Sequence, residues 1–393
     1  SDLDDVGEKD IIFNQQFGYL SMLYLTQALI AKNKSIQLSV LPEISVLIRS
    51  NNSLSALTQT EILSLNRVLA LEAPKLKCKV IDISDMSSLN NEKAENIYNE
   101  IVNDDLEREI MLNNDGKRFV ARLNKVQIKE SQTIFDKFKS DVTYCITGGL
   151  GGLGLSITQW MLAQGAKHIV LISRKAPPLE IKSQIDALNL KYNSSVISLE
   201  LDIADAKAAK IAFKILEEKH PAIKGIIHAA GVLEDGLLLQ QTWQSFEHVM
   251  RPKVLGAWNL HKLTQHQDLD FFAMFSSQAA MLGNIGQANY AASNMFLDSL
   301  AKYRKTKGLK AISIDWGPWA EAGMATKREY QQEAISQGIN SLTNKTALNS
   351  LSMLLSDDTI VQIGVFDINW QRYLNYFFTD NNISFYFAKL SID

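Results

Sequence analysis

The chain has 393 residues, of which 46% are hydrophobic and 21% charged, and its formal net charge is -3. This composition is typical of a soluble globular protein, and the length exceeds what one hydrophobic core usually organises, so two domains are expected. The charge argues against nucleic acid or an anionic membrane as the main partner, and no apolar run approaches the length of a membrane span.

The first ten residues and the two cysteines indicate where the protein works. The acidic stretch 1–10 does not resemble a signal peptide, and its lack of an initiator methionine suggests a piece cut from something longer. Cys78 and Cys145 lie in apolar, strand-like runs without disulfide or metal spacing, so both are expected to be buried in a reducing compartment. We therefore predict a cytoplasmic location and no metal site.

Strand and helix patterns alternate through the first third of the chain, yet no glycine cluster occurs before residue 143. The predicted elements are strands over residues 11–13, 36–41, 44–48 and 77–83, helices over residues 17–32 and from a capping box of Thr58 and Glu61 to Leu71, and a hairpin over residues 108–123. This architecture is that of a nucleotide-binding fold without the means to bind a nucleotide. Two interpretations compete, a small independent domain and a degenerate copy that packs against the second part.

A polar stretch over residues 130–140 separates this part from a predicted strand at residue 142. We therefore predict one domain over residues 1–135 and a second over residues 136–393.

The second part begins with a glycine-rich stretch between an apolar strand, residues 144–146, and a helix predicted over residues 155–163. Glycine lets the backbone approach a pyrophosphate, whose charge is then held by the N–H groups and dipole of the helix N-terminus. Gly149, Gly151 and Gly154 have the G-x-G-x-x-G spacing, while Thr147, Gly148, Gly152 and Gly154 have the T-G-x-x-x-G-x-G spacing and resemble short-chain dehydrogenases. An ordinary glycine-rich turn is the alternative for this stretch taken alone.

The next three predicted strands end in residues that suit a dinucleotide site. Arg174 follows the strand over residues 168–172, where an acidic residue selects NAD and a basic one accommodates the extra phosphate of NADP. Asp202 follows the strand over residues 196–201, where such folds place a carboxylate near the adenine. Residues 229–231 resemble the turn beside the cofactor in short-chain dehydrogenases. The alternation predicts an α/β fold with a doubly wound parallel sheet of the Rossmann type.

Residues 269–275 predict a further strand, with two serines at its end and a helix beyond it. Tyr290 and Asn294 lie four residues apart and share one face of that helix. A carbonyl reduction needs a proton donor for the developing alkoxide and a second donor that holds the oxygen, and Tyr290 and Ser277 suit these roles. A tyrosine with the ordinary pKa of about 10 also needs a nearby cation.

Short-chain dehydrogenases supply that cation as a lysine four residues after the tyrosine, whereas this chain has Asn294 there and Lys253 on the preceding helix. This exchange makes the chain resemble the ketoreductase domain of a modular polyketide synthase. The motifs that carry the resemblance are residues 147–154, 228–232, 251–254, 275–277, 286–294 and 315–319, together with residues 67–72 and 118–123 of the first third. The resemblance covers nearly the whole chain, implies a truncated Rossmann-like structural subdomain packed on a catalytic one, and favours the degenerate copy.

The resemblance also implies roles for individual residues. Tyr290 donates the proton and Ser277, rather than Ser276, holds the substrate oxygen. Lys253 lowers the pKa of the tyrosine, and Asn294 completes the relay. The implied cofactor-binding residues are Thr147, Gly148, Gly149, Gly151, Gly152, Leu153, Gly154, Ser173, Arg174, Asp202, Ile203, Ala229, Ala230, Gly231, Gly317 and Pro318. The implied cofactor is NADPH, and the implied substrate is a β-ketoacyl group on the phosphopantetheine arm of an acyl carrier protein, beside other polyketide synthase domains.

Stereochemistry is predicted from a Leu-x-Asp motif, here Leu233 and Asp235, which resembles the motif of members that give the D-configured, B-type alcohol. Glu occupies the middle position, where Asp is usual. No tryptophan, the mark of the opposite class, occurs between Trp258 and Trp316, and no proline stands two residues after Tyr290, as in members that do not epimerise. Further substrate contacts are implied for Gln287, Trp319 and Met324.

The remaining residues are predicted to cover the site. Residues 319–338 are expected to form a mobile lid, or else an ordinary amphipathic helix. A helix over residues 344–355, a strand over residues 360–366 and a linker or edge segment from Thr379 follow.

Two other functions compete with this one. A free-standing short-chain reductase would act on a small ketone or a fatty-acyl thioester, but it has no need of the glycine-free first third. A silent ketoreductase-like docking module would bind NADPH without turnover. We expect the isolated chain to be a monomeric unit of a larger dimeric synthase.

Overall fold

The computed structural model describes residues 6–36, 44–48, 54–83, 90–103, 105–127, 138–323, 328–378 and 385–390. Two predominantly parallel sheets, one in each part of the chain, organise these residues. Across these ranges, none of the helices combines the length and the apolar character that a membrane crossing requires.

The first sheet has four strands, in the spatial order β1 (Ile44–Ile48), β2 (Cys78–Asp82), β3 (Glu109–Leu112) and β4 (Arg118–Val120). β1, β2 and β3 run parallel, and β3 and β4 form an antiparallel hairpin. Gly116, in the hairpin turn, has a φ of +72°, which glycine adopts readily. The helices of this part are α1 (Glu8–Gln15), α2 (Ser21–Ile36), α3 (Leu54–Gln59), α4 (Glu61–Glu72) and α5 (Asn91–Val102), with a π-helical turn (Gln16–Leu20) between α1 and α2.

The second sheet has seven strands, and every neighbouring pair in it is parallel. The strands of this part of the chain are β5 (Thr143–Thr147), β6 (His168–Ser173), β7 (Ser195–Glu200), β8 (Ile223–His228), β9 (Phe271–Ser277), β10 (Ile312–Trp316), β11 (Ile339–Asn340), β12 (Gln362–Val365) and β13 (Asp367–Ile368). Their order in the sheet is β12-β10-β9-β8-β5-β6-β7, while β11 and β13 form a separate antiparallel pair. The order reverses between β5 and β8, and open parallel sheets bind ligands at such a switch point.

Helices flank the large sheet, as its strand pattern requires. The helices of this part of the chain are α6 (Gly152–Ala163), α7 (Leu179–Tyr192), α8 (Ala206–Lys219), α9 (Trp243–Thr264), α10 (Gln278–Leu282), α11 (Ala288–Thr306), α12 (Arg328–Ser336), α13 (Asn344–Leu355) and α14 (Trp370–Phe377). All five residues of β5 and all five of β10 are buried, because helices cover both faces of these central strands.

The two parts share one hydrophobic core. Leu65 and Leu69 of α4 belong to the same buried cluster as Ala288 and Ala292 of α11. Polar contacts cross the same boundary, because the Tyr19 hydroxyl donates to the Ala288 carbonyl (3.1 Å). The first part of the chain is therefore built into the second rather than tethered to it.

Most predicted elements of the second part agree with the structure. The helix over residues 344–355 coincides with α13, and the predicted strands from residue 144 to residue 366 correspond to β5–β9 and β12 within a few residues, whereas β10 was not predicted. In the first part, β1, β2 and the β3–β4 hairpin confirm three further predictions. The α/β fold with a doubly wound parallel sheet is also confirmed.

Four predictions about local structure were wrong. Residues 11–13 lie in helix α1 instead of a strand. The capping box of Thr58 and Glu61 is absent, since α3 runs to Gln59 and Thr60 is the N-cap of α4. Helix α6 begins three residues before the predicted start. In the tail predicted from Thr379 as a linker or edge segment, residues 385–387 form a 3-10 turn, and the Phe387 ring packs against Tyr373 of α14. Ile36, the first residue of the strand predicted over residues 36–41, ends helix α2. The rest of that strand, most of the linker over residues 130–140 and Met324 lie outside the described residues.

The close approach of β5 and α6 makes a test of the glycine turn. A Cβ on Gly154 would lie 2.5 Å from the Cα of Gly149, so Gly154→Ala must displace the backbone of the turn. We expect a loss of about 1–3 kcal/mol in the free energy of unfolding, measured with urea.

The matched control is Gly152→Ala in the first turn of the same helix. Its Cβ would meet no atom closer than 3.5 Å, so its stability should equal or slightly exceed that of the wild type. Equal losses in the two variants would show that the close contact of Gly154 with Gly149 does not determine the effect.

Candidate active site

Two adjoining cavities open at the carboxyl end of the large sheet. The first, which we call the glycine-turn cavity, has a volume of about 460 Å³ and lies over β5, α6 and the ends of β6 and β7. The second, the tyrosine cavity, has a volume of about 690 Å³ and is bounded by β9, α11 and α12. Leu153, Ala229, Gly231 and Gly323 line both, so a ligand in one cavity borders a ligand in the other.

The glycines of the turn have two different physical tasks. Gly148 has a φ of +69°, and a Cβ there would lie 2.9 Å from the Ala229 carbonyl oxygen. Gly149 and Gly154 permit the backbone of the turn to pack on itself and on β6. Gly151 and Gly152 instead line the glycine-turn cavity at the N-terminus of α6. An open backbone at a helix N-terminus fits the pyrophosphate of a dinucleotide.

The structure brings most of the predicted cofactor-binding residues to this cavity. Those that line it are Thr147, Gly148, Gly151, Gly152, Leu153, Ser173, Arg174, Asp202, Ile203, Ala229, Ala230 and Gly231. Gly149 and Gly154 lie behind the turn, and Gly317 and Pro318 line the tyrosine cavity. The glycine-turn cavity is also lined by residues that were not predicted to bind a cofactor, namely Leu150, Ile172, Leu201, Val232, Pro252 and Gly323.

Hydrogen bonds and charges fix the edges of the glycine-turn cavity. The Thr147 hydroxyl lies 2.7 Å from Nδ1 of His228, which joins the ends of β5 and β8. Burial lowers the pKa of His228 to about 3, so its imidazole is neutral. Arg174 is exposed just beyond β6, where its guanidinium is free to meet an anion in the cavity. Asp202 accepts a hydrogen bond from the Ala204 N–H (3.0 Å).

Lys253 is the buried cation of the tyrosine cavity. It lies on α9, only 3% exposed, and its Nζ donates a hydrogen bond to the Phe275 carbonyl oxygen at 2.7 Å. The same Nζ is 5.6 Å from the centre of the Tyr290 ring. Burial lowers the pKa of Lys253 to about 7, against the opposing influence of Asp298 and Asp315.

The structure distinguishes the two serines at the end of β9. Ser276 is buried, and its hydroxyl donates to Oδ1 of Asp315 at 2.7 Å. Ser277 is half-buried at the wall of the tyrosine cavity, where its Oγ accepts the Ala279 N–H (3.2 Å) and caps α10. Of the two serines, Ser276 has its hydroxyl engaged with a buried carboxyl group, whereas Ser277 is the more exposed to the cavity.

Tyr290 and Asn294 lie on the first two turns of α11. Burial raises the pKa of Tyr290, while hydrogen bonds with the Asn294 and Ser277 side chains lower it. The amide nitrogen of Asn294 donates to the Tyr290 carbonyl oxygen (2.8 Å). Its Oδ1 is buried without a hydrogen-bond partner in the described part of the chain, which leaves an acceptor behind the tyrosine.

A pair of buried carboxyl groups lies behind the serines and the lysine. Asp298 accepts from the Ser313 hydroxyl at 2.6 Å, and Asp315 accepts from that of Ser276. The Gln362 amide donates to both carboxyl groups, at 2.9 and 3.0 Å. Burial raises the pKa of Asp298 to about 6 and raises that of Asp315 well above its ordinary value. Both carboxyl groups are therefore harder to ionise than an exposed aspartate.

The predicted substrate residues are divided between two loops and the lid. Nε2 of Gln287 donates to the carboxylate of Asp235 at 3.2 and 3.3 Å, and the Tyr330 hydroxyl of α12 donates to the same carboxylate at 3.4 Å. Leu233 lines the tyrosine cavity, as does Trp319, which packs against Phe275. The predicted lid thus contains an ordered helix, α12, whose Tyr330 reaches the Leu-x-Asp loop.

The chain is similar to known proteins at the level of a family model and of whole relatives. Residues 142–321 match the family model described as KR domain. The 6-methylsalicylic acid synthase of Aspergillus niger is 34% identical over 313 residues, which cover 76% of this chain and 17% of that protein. A phenolphthiocerol/phthiocerol polyketide synthase of Mycobacterium tuberculosis is 31% identical over 324 residues, which cover 81% of this chain and 17% of that protein. The chain spans about a sixth of the length of these relatives.

Solved structures resemble nearly the whole chain. A structure described as an A1-type ketoreductase matches with a TM-score of 0.82 and 28% identity, covering 94% of this chain and 76% of that chain. The ketoreductase from the first module of phoslactomycin biosynthesis in Streptomyces sp. HK803 matches with a TM-score of 0.82 and 25% identity, covering 93% of this chain and 83% of that chain.

The buried acid pair predicts a dependence of stability on pH. The ordinary pKa of an aspartate is 3.8, and that of Asp298 is about 6. Between these values the folded chain keeps a proton that the unfolded chain releases, so this group's contribution to stability is complete below pH 3.8 and is lost as the pH rises through 6. Asp298→Asn should remove this loss, and its free energy of unfolding relative to the wild type should rise by about 2–3 kcal/mol from pH 4 to pH 7.

Urea unfolding at several pH values measures this difference, with Asp268→Asn as the control. Asp268 is an exposed aspartate whose pKa is lowered by Lys224, so its removal should not produce the same rise. A constant difference between Asp298→Asn and the wild type from pH 4 to pH 7 would contradict the raised pKa of Asp298.

Proposed function

We propose that this chain, whose residues 142–321 belong to the KR domain family, reduces a β-ketoacyl group to a β-hydroxyacyl group with NADPH. The observation that carries the proposal is the meeting of Lys253, Ser277 and Tyr290 at the wall of one cavity, directly beside the glycine-turn cavity. A proton donor, an oxygen-holding hydroxyl and a cation are the groups that reduction of a ketone requires from the protein.

Each residue of the chain performs a separate part of the reaction. The Tyr290 hydroxyl transfers its proton to the ketone oxygen as that oxygen gains negative charge, and the Ser277 hydroxyl donates a hydrogen bond to the same oxygen. Lys253 stabilises the phenolate that remains, because its Nζ lies 5.6 Å from the tyrosine ring in a buried site. The buried Oδ1 of Asn294 offers an acceptor for returning the proton. NADPH, when bound, supplies the hydride to the carbonyl carbon.

The cofactor proposal rests on the shape and charge of the glycine-turn cavity. Gly151 and Gly152 leave the N-terminus of α6 open to a pyrophosphate. Arg174 at the end of β6 is the basic residue that a 2′-phosphate requires, and the Asp202 side chain lies farther along the same wall, after β7. NADPH is therefore favoured over NADH.

The proposed substrate carrier is an acyl carrier protein, whose phosphopantetheine arm brings the β-ketoacyl group to the tyrosine cavity. This proposal follows from the relatives, which are multidomain polyketide synthases of which the chain spans about a sixth. Residues 1–135 then form the structural subdomain and residues 136–393 the catalytic one, and further synthase domains are the neighbouring partners.

The proposed product is the D-configured, B-type alcohol. Asp235 of the Leu-x-Asp motif is bonded to Gln287 and Tyr330, so the motif is part of the substrate wall. No tryptophan lies between Trp258 and Trp316. The residue two positions after Tyr290 is Ala292 and not a proline, as in members that do not epimerise. The solved A1-type ketoreductase has the same overall fold, so the fold alone does not determine the configuration of the product. The proposed D-configuration depends on the residues of these loops.

Removal of the Tyr290 hydroxyl tests the reaction. Tyr290→Phe should lower turnover of a short β-ketoacyl N-acetylcysteamine thioester by at least about 100-fold, because the proton donor is lost while the ring remains. NADPH oxidation measures turnover, cofactor fluorescence measures binding, and chiral chromatography of the wild-type product should give mainly the D-alcohol.

Tyr376→Phe is the matched control, since Tyr376 also lines the tyrosine cavity but lies outside the proposed relay. It should retain turnover near the wild-type level. A wild type that binds NADPH but reduces no β-ketoacyl substrate, even with a cognate carrier protein, would favour a silent docking module. A mainly L-configured product would overturn the B-type assignment.

Reversal of the charge of Arg174 tests cofactor choice. Arg174→Asp should raise the Kd for NADPH by at least about tenfold and leave that for NADH nearly unchanged, because only NADPH carries the 2′-phosphate. Titration of the intrinsic fluorescence with each cofactor measures both constants.

Lys175→Asp makes the same change of charge at the next residue, which is exposed and does not line the cavity. Its effect on NADPH should be small. Equal losses of affinity for the two cofactors in Arg174→Asp would show that the phosphate binds elsewhere.

A further inference from the structure

Glu72, the last residue of α4, connects the first part of the chain to the substrate side of the site. Its Oε2 accepts the backbone N–H of Leu238 at 2.7 Å, and its Oε1 accepts the backbone N–H of Gly286 at 2.8 Å. Both donors belong to the second part of the chain, 166 and 214 residues away. Hydrogen bonds from N–H groups to a carboxylate are about twice as strong as neutral ones.

The two N–H donors lie on different loops. Leu238 ends the loop that carries Asp235, and Gly286 precedes Gln287 in the loop that enters α11. The loops are also joined to each other, since the Gly236 N–H donates to the Gly286 carbonyl oxygen (2.8 Å). The Glu72 carboxylate is therefore bonded to both the loop that carries Asp235 and the loop that carries Gln287.

Helix α4 is a firm support for this attachment. Arg67, five residues earlier, makes two hydrogen bonds of 2.7 Å to Glu109 and a third, also of 2.7 Å, to the Ala280 carbonyl of α10. Gly283 has a φ of +76°, and a Cβ there would lie 2.9 Å from the Arg67 backbone. The loop after α10 thus rests directly on α4, so the position of Glu72 is fixed relative to Ser277 at the start of α10.

We propose that Glu72 is a positioning residue, which sets the spacing between the Asp235 loop and the Gln287 loop and thereby orients the ketone in the tyrosine cavity. The inference rests on the proposed function, and it adds a residue from outside the nucleotide-binding half to the control of substrate orientation. Both loops face the substrate side, whereas the glycine-turn cavity receives no contact from Glu72. Cofactor binding should therefore be independent of it.

The test is Glu72→Gln, which keeps the shape of the side chain but replaces one of its two acceptor oxygens with a donor. We expect KM for the β-ketoacyl thioester to rise by about tenfold, as is typical for loss of a hydrogen bond to a charged group, with the KM for NADPH unchanged. The share of the minor alcohol enantiomer should rise several-fold, because the loops no longer hold one orientation. Hydrogen exchange at the amides of Leu238 and Gly286 should accelerate by at least about tenfold.

Glu107→Gln is the matched control. Glu107 is a buried glutamate of the first part, paired with Arg122 within that part, so its loss lowers stability without touching the loops. It should leave substrate KM and enantiomer ratio unchanged, and Glu72→Asp, which keeps the charge, should lie between Glu72→Gln and the wild type. Thermal unfolding shows whether each variant is folded.

The outcomes separate this inference from the proposed function. An active wild type with an unchanged substrate KM and enantiomer ratio in Glu72→Gln would overturn the positioning role. A shift equal to that of Glu107→Gln would do the same, because it would reflect stability alone. An inactive wild type would refute the proposed function, and the exchange rates of Leu238 and Gly286 would then decide whether Glu72 holds the loops.

Discussion

The burial of one ammonium group is the constraint on which the site depends. Lys253 is almost removed from water, and a charge in such a place is stable only when hydrogen bonds and opposite charge compensate for lost solvation. The Phe275 carbonyl provides the bond, and the acid pair of Asp298 and Asp315 provides the opposing electrostatic influence. These contacts compensate only in part for the lost solvation, so the pKa of Lys253 is about 7. A phenolate that forms on Tyr290 favours the protonated lysine, because the two charges are opposite.

Features encoded by short stretches could be predicted from the sequence. The glycine turn is encoded by eight consecutive residues. Ser277 and Tyr290 are thirteen residues apart, and one strand end, one short helix and one loop bring them to the same cavity. Local sequence patterns were therefore sufficient to predict both features. The apolar triplet at residues 11–13 misled the prediction, because Ile11 faces the core from a helix that also places Gln15 against Glu61. Three residues cannot distinguish the period of a strand from that of a helix.

Features built from distant residues could not be predicted. Glu72 meets partners 166 and 214 residues away, and the acid pair joins α11 to β10 and takes its amide donor from β12. No periodicity marks such contacts, since a glutamate at the end of a helix or an aspartate in a buried strand has many ordinary explanations. The motif of residues 67–72 indicated that the stretch was specific without indicating what it touches. Its role became visible only when the loops it supports were placed in space.

The dependence of α4 on α10 and α11 has a consequence for the order of events during synthesis. Arg67 leaves the ribosome 213 residues before Ala280, which at translation rates of about 5–20 residues per second is about 10–40 s. Through that interval the apolar face of α4, with Leu65, Val68 and Leu69, has no α11 to cover it. The first sheet can form early, but the apolar face of α4 stays exposed until α11 has been synthesised and packs against it. Chaperone engagement of the nascent chain should therefore be concentrated in this window, and it should end when α11 emerges.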